Sequence, residues 1–413
     1  AGRDNREIQI RYATSVRALN NRMKNFQAKL EGIARYGVLE KKQSQEEAFL
    51  EWAKQSDERR QLYGQALANL DEFMKRYERH FTRASLLDEL VNPFACKTLL
   101  GQAHTIYRGV LERQKPDIDR DPEFQERNLA AFTSGIELAD REFDLATDRA
   151  YLMHRLARLA GYPAELRPAA LNGLLDGRPD TAIDELVDGL YERTILTDSK
   201  RRLELLTMTP DSLLSQSDPL IRLAADLEEE MKGLREEGKA LEQERLDLRR
   251  LYLKALFEQK NGRLAPDANA TLRFTYGLVE GYRPRDAVLY FPQTTLTGLI
   301  EKDKGEYPFL VPAKVRALYR DRDFGPYLDT RLNDVPVCLL TSTAITGGNS
   351  GSPTLNANGE LTGVVFDMTY DGVITDFYDI PEVRRTISVD IRNALFLTEK
   401  LGGITYVTKE LGF

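Results

Sequence analysis

The sequence predicts an α+β protein of more than one domain: an α-helical domain over residues 1–262, then a β domain over 263–413. Two observations carry this. Before Asn261-Gly262, apolar residues recur at three- and four-residue steps, as in Tyr63, Leu67, Leu70, Met74, Tyr77 and Phe81, the stripe of an amphipathic helix. After it, short Val, Thr, Phe and Tyr runs are cut by Gly, Pro and Asn-Gly, the pattern of strands joined by turns.

Helices are expected around 46–91, 123–160, 181–190 and 220–259. The dipeptides Asn92-Pro93 and Thr209-Pro210, with Gly161-Tyr162-Pro163 and Gly177-Arg178-Pro179, break the helical pattern between some of them. The charged run 227–250 reads as a coiled-coil or solvent-facing helix with solvated charges. In the β domain, 335–340 is a Val/Leu-rich strand, 359–366 alternates, and Asn358-Gly359 signals a hairpin turn.

A chain of 413 residues is long enough for two or three domains, each with its own core. With 42% apolar and 30% charged residues it reads as globular, and no apolar run approaches membrane-spanning length. The net charge of −7, with basic residues interspersed among acids, gives no support for nucleic-acid binding. The two cysteines, Cys96 and Cys338, form neither a metal motif nor a disulfide framework. No phosphate-binding glycine loop or metal-ligand motif is present, so no cofactor and no metal are expected.

The run Thr346-Gly347-Gly348-Asn349-Ser350-Gly351-Ser352-Pro353 carries the chemistry. A serine between glycines in a tight turn is how a chymotrypsin-like protease presents its nucleophile, which makes Ser350 the catalytic candidate. The glycines leave the backbone room to turn the Gly348 and Ser350 N–H groups toward a developing oxyanion. Taken alone, the motif is equally a Gly/Ser-rich hairpin loop. A serine hydroxyl also needs a base. The three histidines, His80, His104 and His154, all sit in helical-pattern sequence away from Ser350.

The context of the motif is more specific. Leu272-Arg273-Phe274-Thr275-Tyr276-Gly277, Val279-Glu280-Gly281-Tyr282, Pro284-Arg285-Asp286-Ala287-Val288 and Phe291-Pro292-Gln293-Thr294-Thr295-Leu296 lead up to it. Asp323-Phe324-Gly325 follows these, and Thr386-Ile387-Ser388-Val389-Asp390-Ile391-Arg392 lies beyond the motif. In these segments the chain resembles the dipeptidyl peptidase 7 and 11 family of bacterial serine exopeptidases. A looser agreement reaches back through Gly37-Val38, Leu19-Asn20-Asn21 and Arg11-Tyr12-Ala13.

The resemblance implies a chymotrypsin-like double β-barrel with a helical domain inserted between its halves as a cap over the cleft. This chain then corresponds to the cap plus the C-terminal barrel half. The family's histidine and aspartate precede the insertion, so this chain, starting Ala1-Gly2-Arg3-Asp4-Asn5, is expected to be the C-terminal part of a longer enzyme and inactive alone. The implied activity is release of dipeptides from peptide N-termini, with the substrate ammonium held by Asn21 (Asn25 as the alternative) and Asp367. At Asn21 the chain departs from the family, since Arg22-Met23 replaces an aromatic pair.

Met368 occupies the position that shapes the pocket before the cleaved bond, where the family has glycine or arginine. Methionine offers no guanidinium, so a shallow pocket for small or medium aliphatic side chains is expected; Met368 as β-core filler stays open. Asn349 stands where trypsin-like proteases carry an aspartate, so activation by N-terminal cleavage is not implied. Asp390 reads as structural, because the family draws its triad aspartate from elsewhere. The resemblance further implies peptide substrates, a missing N-terminal barrel as partner, a periplasmic or secreted location, and allows a homodimer. A non-catalytic helical scaffold or peptide-binding module that retains a protease-like half remains the competing reading.

Overall fold

The computed structural model describes residues 6–92, 97–139, 143–177, 180–264, 271–306 and 309–412. Cys96, Pro93, Arg178 and Pro179 lie outside them. The chain divides into two compact units, one of residues 1–22 and 46–265, the other of 23–45 and 266–413. The helical-to-β border expected at 262/263 falls here at 265/266. Residues 23–45, read from sequence as part of the helical domain, belong with the β unit. The reason is apolar packing: Val38, with Ile33 and Tyr36 beside it, shares a buried cluster with Tyr282, Ile374, Ile380 and Val383.

The helices are α1 (Arg6–Arg35), α2 (Val38–Lys54), α3 (Asp57–Tyr63), α4 (Ala66–Val91), α5 (Leu99–Glu112), α6 (Leu129–Leu138), α7 (Leu145–Ala160), α8 (Ala169–Leu175), α9 (Asp180–Arg193), α10 (Ser199–Leu205), α11 (Pro210–Ser215) and α12 (Pro219–Gln259). In the first unit the longest is α12, and its start is chemically specified. Asp218 accepts from the N–H groups of Leu220 and Ile221 at 2.9 and 3.0 Å, with Pro219 in the first turn. The same carboxylate accepts from Thr194 Oγ1 and from the Ile195 N–H, fixing the end of α9 against the start of α12.

The segment 46–91 is not one helix but parts of three. Ser56 caps α3 by accepting from the Arg59 N–H at 3.1 Å, and Gly64 ends it. The segment 123–160 likewise opens in short 3₁₀ turns before α6, and Asp144 caps α7 through the Thr147 N–H. Leu99, Ile106 and Val110 of α5 and Leu220, Ala224 and Leu227 of α12 anchor this unit's core. The charges of 227–250 are not all solvated: Glu228 is buried and bonded to His104 Nε2 at 2.8 Å and to Arg235. Burial raises its pKa, but the hydrogen bonds from His104 and Arg235 outweigh this and hold it below the usual carboxylate range.

The second unit contains a hairpin, β1 (Tyr282–Arg285) with β2 (Val288–Tyr290), and an open antiparallel sheet. The sheet comprises β3 (Gln293–Thr295), β4 (Pro336–Thr341), β5 (Pro353–Leu355), β6 (Leu361–Met368) and β7 (Thr386–Asp390), in the order β3-β4-β7-β6-β5. Helices α13 (Leu296–Glu301), α14 (Ala313–Arg320), α15 (Ile391–Phe396) and α16 (Thr405–Glu410) complete it. Leu296, Val315, Phe324, Val335 and Phe396 form the core between β3, α13, α14 and α15. Among the described residues the strands do not close into a barrel, so the architecture on view is mixed helix and sheet. No described helix is long and apolar enough to cross a membrane.

Candidate active site

The motif run links β4 to β5. Its entry is closed by Asn349, whose Oδ1 accepts from the Thr346 N–H at 3.0 Å while its own N–H donates to the Thr346 carbonyl. Its exit is tied to β6, where the Gly351 N–H donates to Val365 O at 2.7 Å and the Val365 N–H to Ser352 O at 2.9 Å. Gly348 and Gly351 have φ of 103° and 88°, a region that L side chains rarely adopt, so both glycines are required by the turn. Ser350 is exposed at its apex. Among the described residues, neither its N–H nor that of Gly348 donates to a protein acceptor, leaving two polarised donors on one turn.

Asp367 and Met368 sit on β6, beyond the point where the turn is tied. A β-bulge between Val365 and Asp367 inserts Phe366 as an extra residue, so Asp367 pairs with Ile387 and Met368 with Thr386. On the side away from β7 no described strand runs beside Asp367 and Met368, and the edge next to the turn is open. Asp367 is exposed, and its Oδ1 accepts from the Met368 N–H at 2.8 Å. The arginines that could have paired it are engaged elsewhere: Arg384 with Asp379, Arg385 with Glu280. Met368 is half-buried.

The structure therefore places Ser350, Gly348, Asp367 and Met368 in one unit. Asn21 is exposed on the part of α1 that belongs to the other unit, and Asn25, one turn later, is half-buried in the unit of Ser350. All three histidines are in the helical unit: His80 pairs with Glu237, His104 with Glu228, and His154 is exposed. Asp390 is buried, caps α15 through the Arg392 N–H, and pairs with the Arg392 guanidinium at 2.9 Å. It is held as a structural carboxylate. Cys338 on β4 is half-buried, and burial pushes its thiol pKa up, opposite to a reactive thiolate.

Sequence reasoning missed two features. One is a cavity of about 1690 Å³ in the β unit, which none of Ser350, Asp367 and Met368 lines. In its wall Asp371 accepts from Arg35 Nη1 and Tyr282 Oη, both at 3.0 Å, and from Tyr36 Oη. Burial and the adjacent carboxylate push both tyrosine pKa values up. Nothing in the spacing of Arg35, Tyr282 and Asp371 announces this cluster. The other is a set of buried hydroxyls, Thr341, Thr386 and Ser388, which the alternation of 386–390 conceals because it favours burial of Ile387 and Val389 instead.

Comparison with known proteins decides the family, because the peptidase S46 family matches residues 1–413. The chain belongs to the peptidase S46 family. It is 32% identical over 435 residues to the Asp/Glu-specific dipeptidyl-peptidase of Shewanella putrefaciens, an alignment covering 99% of this chain and 58% of that protein. It is 31% identical to the dipeptidyl-peptidase 7 of Phocaeicola vulgatus, covering 98% of this chain and 55% of that one. Among solved structures it resembles Porphyromonas endodontalis DPP11 in complex with the dipeptide Arg-Glu, with TM-score 0.79, 28% identity, and coverage of 98% and 56% of the two chains. The S46 chain thus spans little more than half the length of these relatives.

Proposed function

We propose that the protein containing this chain is a serine-type dipeptidyl aminopeptidase in which Ser350 is the nucleophile. The observation that carries the reading is the turn itself: an exposed serine whose own N–H and that of Gly348 have no acceptor among the described residues, beside an open strand edge. In the reaction a base takes the Ser350 proton, Oγ attacks the second peptide carbonyl, and the two N–H groups stabilise the oxyanion; its collapse breaks the peptide bond as the base returns the proton to the leaving amine, and water then hydrolyses the acyl-enzyme to release the dipeptide. The family resemblance implies that the base and its orienting carboxylate come from an N-terminal barrel not contained in this chain, in keeping with His80, His104 and His154 all lying in the unit without Ser350. Docking of that barrel is supported by the exposed apolar side chains of Leu272, Phe274, Tyr276 and Phe291, which solvent alone would leave uncovered. The family resemblance gives the helical domain the role of cap.

The family resemblance assigns the substrate ammonium to Asp367 and Asn21, whose acceptors would offset its desolvation. Although one relative named above is an Asp/Glu-specific dipeptidyl-peptidase, Met368 favours small or medium aliphatic side chains before the cleaved bond, because no guanidinium stands there. Peptides are the partners; a periplasmic or secreted location and a homodimer follow from the family resemblance alone. The test is dipeptide release from a free-N-terminus peptide by the full gene product, followed by mass spectrometry. Ser350→Ala should lower the rate by at least about 10⁴-fold, and N-acetylation of the peptide should abolish release. No release above background by the wild-type gene product would give the scaffold reading the lead, and an unchanged rate in Ser350→Ala would place the nucleophile elsewhere.

A further inference from the structure

Strand β7 alternates Thr386, Ile387, Ser388, Val389 and Asp390, yet the polar members are the buried ones: Thr386 is 1% exposed and Ser388 0%. Their hydroxyls are both hydrogen-bonded. Thr343 Oγ1 donates to Thr386 Oγ1 at 2.9 Å, and Thr386 Oγ1 donates to the Thr343 carbonyl at 2.9 Å. Thr341 Oγ1 extends the chain to Thr343 Oγ1 at 2.7 Å. Thr354 Oγ1 and Ser388 Oγ lie 2.8 Å apart. Thr343 precedes the turn that carries Ser350 and Thr354 follows it.

We propose that Thr386 and Ser388 are positioning residues for Ser350, clamping the two ends of its turn to one face of a single central strand. Residues two apart on a strand share a face and lie about 6.6 Å apart, so β7 sets the separation of the turn's anchors as a rigid length. β7 is itself held on both sides, by β4 and by β6. The backbone ladder fixes the strands; the paired hydroxyls fix Thr343, which lies past the end of β4 and, among the described residues, has no ladder partner of its own. Apolar side chains would fill the same space without direction, whereas a hydroxyl pair specifies where Thr343 sits. Because a misplacement of about 1 Å at a reacting group can cost about 10²-fold, the clamp acts on turnover rather than on substrate affinity.

This inference rests on the reading of Ser350 as nucleophile. The test compares Thr386→Val, Thr386→Ser, Ser388→Ala and Ser350→Ala in the full gene product. Thr408→Val serves as control, because it removes a buried hydroxyl, bonded to the Thr405 carbonyl on α16, that is remote from the turn in sequence. Thr386→Val and Ser388→Ala are expected to lower kcat about 10- to 100-fold with KM within about threefold. Thr386→Ser, which restores the hydroxyl, should recover kcat to within about threefold of wild type, and Thr408→Val should lower Tm while leaving kcat in place.

The proposal is overturned if folded Thr386→Val keeps wild-type kcat, or loses no more than Thr408→Val at the same Tm loss. If Thr386→Val does not fold, Ser388→Ala decides in its place, with wild-type kcat again the overturning result. Activity in Ser350→Ala would instead remove the nucleophile reading itself, so the two failures are distinct.

Discussion

Replacing Gly348 by alanine probes the oxyanion geometry without touching any side chain of the site. Gly348 has φ of 103°, and a Cβ built there would meet nothing within 4 Å. The penalty is therefore conformational rather than steric. Holding an L-residue in that region costs of the order of 1–3 kcal/mol, which the turn relieves by rotating the peptide and swinging the Gly348 N–H away from its present direction. Loss of one oxyanion donor lowers kcat by about 10²–10³-fold. Gly347 is an internal control, because a Cβ there also meets nothing within 4 Å and its φ is not in the left-handed region.

Steady-state kinetics of dipeptide release, read beside the melting temperature, separate the two effects. Gly348→Ala should lose kcat by about two orders of magnitude while Gly347→Ala stays within about threefold of wild type. If Gly348→Ala keeps wild-type kcat, or if the two variants lose activity equally, the assignment of the Gly348 N–H to the oxyanion is wrong.

Two further outcomes follow from other parts of the molecule. Asp148 is buried, accepts from Tyr191 Oη and the Leu99 N–H, and has its pKa pushed up to about 6 by that burial, against an ordinary 3.8. The folded state therefore binds this proton more tightly than the unfolded chain. Its contribution is complete below 3.8 and is withdrawn as the pH rises to about 6, a loss of about 3 kcal/mol. Asp148→Asn should remove that slope in urea unfolding between about pH 4 and 7, and an unchanged slope would contradict the assignment. Met368→Arg should raise kcat/KM for peptides with Asp or Glu before the cleaved bond by about 10- to 100-fold relative to Ala; equal preference profiles would show that Met368 does not line that pocket.

The long helix α12 was legible because its signals are local: an Asp-Pro start, a charged amphipathic repeat, and Asn261-Gly262 after its end. The breaks within 46–91 were not, since Ser56 and Gly64 each act through one hydrogen bond that periodicity averages away. Glu228 was unreadable for a related reason, as its burial is made tolerable by partners distant in sequence or a turn or more away, His104, Arg235 and Arg108. Residues 23–45 look helical and are helical, but sequence period does not say against which unit Ile33, Tyr36 and Val38 pack.

At the site, the turn was legible from its glycines, whereas its supports were hidden. In β7 the alternation was visible, but hydrophobicity favours burying Ile387 and Val389, and the structure buries Thr386, Ser388 and Asp390, each satisfied by a named partner. The open question is the nucleophile, and covalent labelling addresses it most directly. The full gene product should be treated with a fluorophosphonate, digested, and the modified peptide sequenced by mass spectrometry. A phosphonyl adduct on Ser350, blocked by peptide substrate and absent from Ser350→Ala, is the result expected. An adduct on Ser352 or elsewhere that abolishes dipeptide release, with Ser350 unmodified, would contradict the account.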